Sequence, residues 1–311
     1  MTASQSTPLH PMINLYEYSL KYQNRSQNTI RIYAGTVIKF AEYVTTHGGV
    51  TDWSQVSKTH IERFIVDVRE RGGSAGYASN LYRSLQQFFK WWAEETESRN
   101  PMDRTKAPHL PDKPVNVLRD DQLLALLKAT EGTTFVQRRD RAILLLLLDT
   151  GLRRAELTGI KVTDVDLAAG EIRVSEENAK NRVARTVSYG GDAALAIGRY
   201  LTIARAAHPQ HGREALWLGE RGKGPLTPNG VYQMIRKRGK VIGVDPLYPH
   251  MLRHTWVHEM KKAGVQPDEI MAAAGWKDQQ MLARYAASTA GQRARETMRR
   301  VSPADRLRKG K

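Results

Sequence analysis

The sequence predicts a mainly α-helical protein with a small β-sheet: a helical N-terminal domain followed by a mixed α+β domain. Three observations carry that expectation. Apolar residues recur near the helical period through most of the chain. Strand-like alternation is confined to one short stretch after residue 170. Four prolines, Pro101, Pro108, Pro111 and Pro114, punctuate a charged segment that reads as a semi-rigid linker.

The elements follow in order. Ser26, Gln27, Asn28 and Thr29 supply capping groups before Ile30, Ile32, Tyr33, Val37, Phe40, Ala41 and Val44, which recur near a helical period. A second helix is expected from about Lys58 to Arg71, stopped by Gly72-Gly73. A third runs from Ala75 to about Glu95, with Leu81, Leu85, Phe88 and Trp92 along one side and Arg83, Gln87 and Lys90 along the other. Phe88, Phe89, Trp91 and Trp92 read as core rather than as a base-stacking platform. No strand is expected before the linker, so the domains are drawn as 1–100, a linker at 101–116, a second domain at 117–290 and a basic tail at 291–311.

Beyond the linker, helices are expected from Asp120 or Asp121 through Ala129 and from Arg139 to Asp149. Glu171 to Ser175 alternates around Ile172 and Val174, and Ala184 to Val187 is its returning partner across a turn at 176–181. Thr227-Pro228 opens another helix, a cap followed by proline at the first helical position. Helical signals then continue to Arg300.

Composition narrows the class of function. The 311 residues carry 48 Lys and Arg against 32 Asp and Glu, a formal charge of +16. Such a surplus attracts a polyanion, most often nucleic acid, although ribosomal and membrane-surface proteins are as basic. The absence of cysteine excludes disulfides, thiolate zinc sites and a cysteine nucleophile. The longest strongly apolar run, Ala142 to Leu148, is too short to span a bilayer, and residues 1–11 show no secretory pattern. A soluble cytoplasmic protein is expected. No carboxylate triad suggests a two-metal nuclease, and no Gly-rich loop ends in Lys-Ser or Lys-Thr.

Certain side chains stand out as chemistry. Arginine is a planar, permanently charged fork suited to the nonbridging oxygens of a phosphodiester. Glu156 lies three residues after Arg153; taken alone the two read as an ordinary surface ion pair, and holding the guanidinium in place is the alternative. His250 lies three before Arg253, within one helical turn, where it can hydrogen-bond a phosphate or accept a proton. Trp276 offers an indole N–H donor but no proton shuttle; packing in the core is its alternative. Tyr285 supplies a phenol that needs a base or a positive field to attack at neutral pH.

The strings Thr150-Gly151-Leu152-Arg153-Arg154-Ala155-Glu156-Leu157, His250-Met251-Leu252-Arg253-His254 and Ala274-Gly275-Trp276, with Tyr285 nine residues on, resemble the tyrosine recombinases, or phage integrases. The likeness is close from about 115 to 287 and looser before it, and the compact two-domain layout resembles the Xer-like members. It implies a helical, SAM-like core-binding domain and a catalytic domain that cleaves and rejoins DNA through a 3′-phosphotyrosyl intermediate, with no cofactor and no metal. It assigns Arg153, Lys180, His250, Arg253 and Trp276 to the pocket, Tyr285 to nucleophilic attack and Glu156 to support. Lys180 is the general acid, matched by the Lys180, Arg185, Val187 spacing, with Arg182 and Arg185 as competing cations; His254 is structural. Trp276 departs from the histidine most members have there. Double-stranded DNA is the implied partner, and four protomers are implied to assemble on paired sites, without a membrane; Arg83 and Lys90, on the polar face of an N-terminal helix, are read either as DNA contacts or as a solvated helix face. Target sequence and accessory proteins are not legible. A type IB topoisomerase and a catalytically silent DNA-binding protein are the alternatives.

Overall fold

The computed structural model describes residues 9–110, 115–179 and 183–276, Asp278, and short stretches between 294 and 307. The chain divides into two compact units, 1–112 and 113–311.

The first unit is helical: α1 (His10–Tyr22), α2 (Gln27–Gly48), α3 (Lys58–Glu70) and α4 (Ala75–Glu95), with a single 3-10 turn at Trp53–Gln55. Its caps are the side chains the sequence offers. Ser26 Oγ accepts the Thr29 N–H at 3.1 Å, and Ser74 Oγ accepts that of Tyr77 at 3.1 Å. Glycine in the left-handed conformation at Gly49 ends α2.

Aromatic rings fill the centre of this unit. Phe40 meets Phe64 and Phe89 edge-on, with ring centres 5.3 and 5.9 Å apart. Phe88, Phe89 and Trp92 of α4 are buried, and Trp91 packs partly buried against Tyr16. Emptying such a site, as in Phe88→Ala, costs about 3–5 kcal/mol. The opposite face of α4 leaves Arg83 and Lys90 exposed; Lys90 lies 4.0 Å from Glu94. An open pair of that kind adds little stability.

The second unit is built around α6 (Phe135–Thr150), which follows α5 (Asp120–Lys128). Ala142 to Leu147 of α6 are all buried, the mark of a helix surrounded by protein. Around it pack α8 (Gly191–Arg199), its π-helical extension Tyr200–Arg205, α10 (Pro249–Lys262) and β3 (Arg185–Ser188). The sheet is antiparallel in the order β1 (Val165–Asp166), β2 (Glu171–Val174), β3, with Ile172 opposite Val187 and Val174 opposite Arg185. Ile172, Val174 and Val187 face the core. Short α7 (Arg154–Gly159), α9 (Pro228–Val241) and α11 (Pro267–Ala274) complete the unit.

The molecule is thus mainly α with a small sheet, as expected; among the described residues that sheet has three strands, where the hairpin reading had two. Details differ. Helix α6 begins at Phe135 rather than Arg139, because Thr134 caps it by accepting the Gln137 N–H. The second hairpin strand starts one residue later than read, and β1, α1 and α8 were not foreseen. Among the described residues no helix is long and apolar enough to cross a membrane.

Candidate active site

The site starts where α6 stops. Gly151 caps that helix at φ 57°, and a Cβ there would lie 2.3 Å from the Trp256 ring. Only glycine satisfies both the left-handed backbone and the ring beneath it. The chain then turns through buried Leu152 into Arg153, which is extended (φ −70°, ψ 150°) and precedes the first turn of α7. Arg153 and Glu156 therefore do not share a helix face, as the sequence reading supposed. Instead the carboxylate reaches back over the helix start and accepts both the Arg153 backbone N–H (2.8 Å) and its Nη1 (2.8 Å).

Glu156 is 1 % exposed and has a second arginine partner. Arg185, at the start of β3, donates Nη1 to Oε1 at 3.1 Å and Nη2 to Oε2 at 2.9 Å. Burial by itself would raise the carboxyl pKa. The Arg185 hydrogen bonds, the Arg153 N–H and the charges of both guanidiniums outweigh it, so Glu156 is held below its ordinary range. An exposed ion pair is excluded by this geometry. Arg185, which the sequence presented only as a competing cation, is half of the support; its place in the hairpin spacing was the available signal.

Helix α10 supplies the next two groups. Pro249 opens it, and His250 and Arg253 follow one turn apart. Arg253 is 2 % exposed, yet its fork is oriented by backbone carbonyls: Nη1 donates to Gly151 O and Nη2 to Ala274 O at 2.8 Å. Arg153 Nη1 reaches the same Ala274 oxygen at 3.3 Å, while Arg185 Nε donates to Ala273 O at 3.0 Å. The carbonyl end of α11 thus gathers three guanidiniums from three elements. Gly275 (φ 62°) closes α11 there, and a Cβ on it would sit 3.0 Å from Arg185 Nη1.

Trp276 follows directly, buried beside Trp256, Val257 and Ile270 with the Arg253 guanidinium 5.0 Å above its ring. It is both core residue and neighbour of the fork. His250 is exposed at the head of α10, and the rings of His250 and His254 lie 4.4 Å apart. His254 is pushed down to about 4, first by burial and then by the charges of His250 and Arg253, so it is neutral at physiological pH.

A cleft of about 500 Å³ is lined by Arg153, Arg154, His250 and Arg253 together with Tyr232 and Tyr248. The structure therefore brings together Arg153, Glu156, His250, Arg253 and Trp276. Lys180 and Tyr285, and Arg182 beside the former, lie outside the described residues. Arg83 and Lys90 belong to the other unit.

Residues 116–292 match the Phage integrase family, and residues 13–100 match the phage integrase N-terminal SAM-like domain. The chain belongs to the phage integrase family. Among its integrase-family relatives, Tyrosine recombinase XerC of Roseiflexus castenholzii is 31 % identical over 248 residues, covering 78 % of this chain and 77 % of that one. Tyrosine recombinase XerD of Listeria monocytogenes is 28 % identical over 257 residues, covering 81 % and 85 %. The integrase fold is also that of the XerH site-specific recombinase solved on a palindromic difH substrate in a post-cleavage complex. That structure has a TM-score of 0.72 at 19 % identity and covers 89 % of this chain and 81 % of that one.

Proposed function

We propose that this integrase-family chain is a site-specific DNA recombinase that cleaves and rejoins strands through a 3′-phosphotyrosyl intermediate. The observation that carries the reading is the convergence of Arg153 and Arg253 on one carbonyl oxygen, both arginines lining a cleft that His250 also lines. Two fixed forks lining one cleft suit the charge that builds on a phosphodiester's nonbridging oxygens. The names of the relatives, tyrosine recombinases of the Xer type, support the same reading.

The roles follow. Arg153 and Arg253 hold the nonbridging oxygens, the former braced by Glu156 and Arg185. The Tyr285 oxygen attacks phosphorus while His250 takes the phenol proton. The bond to the 5′ oxygen breaks, and Lys180 delivers a proton to that leaving group. Religation reverses the sequence at a different 5′ hydroxyl, and one phosphodiester is exchanged for another throughout, so no ATP is consumed. Trp276 supports the Arg253 fork from beneath and takes no part in proton transfer.

Double-stranded DNA is the substrate, with Arg83 and Lys90 as backbone contacts from the first unit. Four protomers act on two paired sites, and the segment 291–311, with Arg293, Arg295, Arg299 and Arg300, docks on a neighbouring protomer. The testing experiment compares two plasmids, one carrying paired copies of a DNA site selected by the protein and one lacking it. Exchange confined to the first supports a recombinase. Relaxation of the second without a site indicates a topoisomerase, and neither activity indicates a DNA-binding protein.

A further inference from the structure

Arg154 follows Arg153 directly, lines the same cleft and belongs to none of the roles above. Its setting differs from those of the two clamp arginines. Arg253 donates to two carbonyls and Arg153 to a carboxylate and a carbonyl, both from positions at least partly buried. Arg154 is exposed, and its guanidinium lies over the ring of Tyr232 on α9, 5.7 Å from the centroid. Among the described residues no carboxylate or carbonyl takes its N–H groups. A guanidinium lying over an aromatic ring is held in place while its in-plane donors still point outwards at their edges.

Charge makes this arrangement informative. Glu156 is the carboxylate beside the cleft, and it already faces two arginines, Arg153 and Arg185. A further cation on the rim adds to an existing positive excess and is repelled by it unless an anion enters. Spacing says which anion. Consecutive Cα atoms lie about 3.8 Å apart, and successive phosphates of one DNA strand rise by about 3.4 Å. Adjacent phosphates are separated by more than that axial rise, and Arg153 and Arg154 take their guanidiniums from adjacent Cα atoms to different partners, Glu156 and the Tyr232 ring, so the two forks can meet a strand at different phosphates. The cleft, at about 500 Å³, is roomier than one phosphate group needs.

We propose that Arg154, held against Tyr232, binds the phosphate immediately next to the one gripped by Arg253, fixing the register of the strand in the cleft. The proposal rests on the reading of the cleft as a phosphodiester site. Arg154 is thus a positioning residue, acting on the strand outside the reacting atoms, and Tyr232 acts through it.

The test uses the full chain and a duplex chosen by selection for tight binding, with single neutral methylphosphonates placed in turn along each strand. Binding is measured for wild type, Arg154→Ala, Arg253→Ala, Tyr232→Leu and Tyr232→Phe. Arg154→Ala is expected to weaken binding about tenfold, a charge-assisted hydrogen bond's worth, and to reduce the slope of log K against log salt by about one. One methylphosphonate should then become silent in Arg154→Ala, and it should be the immediate neighbour of the one silenced by Arg253→Ala. Tyr232→Leu should reproduce part of the loss, and Tyr232→Phe, which keeps the ring, none.

Purely additive costs at every phosphate, an unchanged salt slope, or coupling of both arginines to one phosphate would overturn the proposal. Failure to bind any duplex would do so as well. Covalent adduct formation by wild type is scored separately on the same duplex: its absence counts against the recombinase reading, while the coupling pattern still decides what Arg154 touches.

Discussion

Replacing Glu156 by glutamine keeps the volume of the side chain and removes its charge. In the native unit two carboxylate oxygens accept four N–H contacts, from the Arg153 backbone, the Arg153 guanidinium and both Arg185 Nη atoms, all within 3.1 Å. The glutamine amide turns an acceptor into a donor against at least one arginine, and two guanidiniums lose their counter-charge. Removing one partner from a buried pair costs about 3–5 kcal/mol. Glu156 has no exposed side-chain surface, but the Arg153 and Arg185 side chains keep 21 % and 12 % of theirs, so water recovers part of the loss. The lower end, about 3 kcal/mol, is the expectation. Hydrogen exchange read peptide by peptide over 135–160 isolates this unit from the helical one. A loss of 3 kcal/mol speeds exchange there by about two orders of magnitude.

The pH dependence gives a second handle on the same residue. The folded carboxyl lies below its ordinary value of 4.5, so its contribution is complete above that value and is lost as pH falls through the folded one. The difference between wild type and Glu156→Gln should therefore be flat from pH 5 to 8 and shrink below about 4.5. An unchanged exchange rate in Glu156→Gln, or a difference that persists undiminished into acid, would refute the claim that this carboxylate braces the two arginines as an anion.

Other outcomes follow from the same geometry. Arg253→Ala should slow covalent adduct formation by about 10²–10³-fold, the usual effect of deleting one preorganised donor, in a single-turnover assay on a nicked duplex. His254 is silent above its ordinary value of 6.5; between 6.5 and about 4 the unfolded chain binds a proton the folded chain refuses. Stability should thus decrease as pH is lowered from 6.5 to about 4, and His254→Asn should flatten that part of a urea-midpoint against pH curve. Deleting 291–311 should impair recombination between paired sites more than binding to one site, measured by plasmid exchange and gel mobility shift; unchanged exchange would contradict a docking tail.

Much of this was legible because the informative signals are local. Ser26 and Thr227 announce α2 and α9 by placing an acceptor three residues before a backbone donor. Two helices without such an acceptor, α1 and α8, escaped. Leu9 precedes α1 with no side-chain bond, and Gly190 precedes α8 with no side chain at all. Strand β1 has two residues, too short for alternation to register. At the site, the residues of the three strings were readable, but partnership was not. Arg185 lies 29 positions from Glu156, and only the sheet and α11 bring it back. Trp276 was offered as either core or site because composition cannot express that one ring serves both.

The account depends on Tyr285 becoming covalently bound to DNA. Incubating the protein with a nicked duplex of its selected site, denaturing, digesting and sequencing the DNA-linked peptide by mass spectrometry tests this directly. The account predicts a single adduct, attached through residue 285 to a 3′ phosphate and lost in Tyr285→Phe while the duplex is still bound. An adduct through another residue, or its survival in Tyr285→Phe, would contradict it.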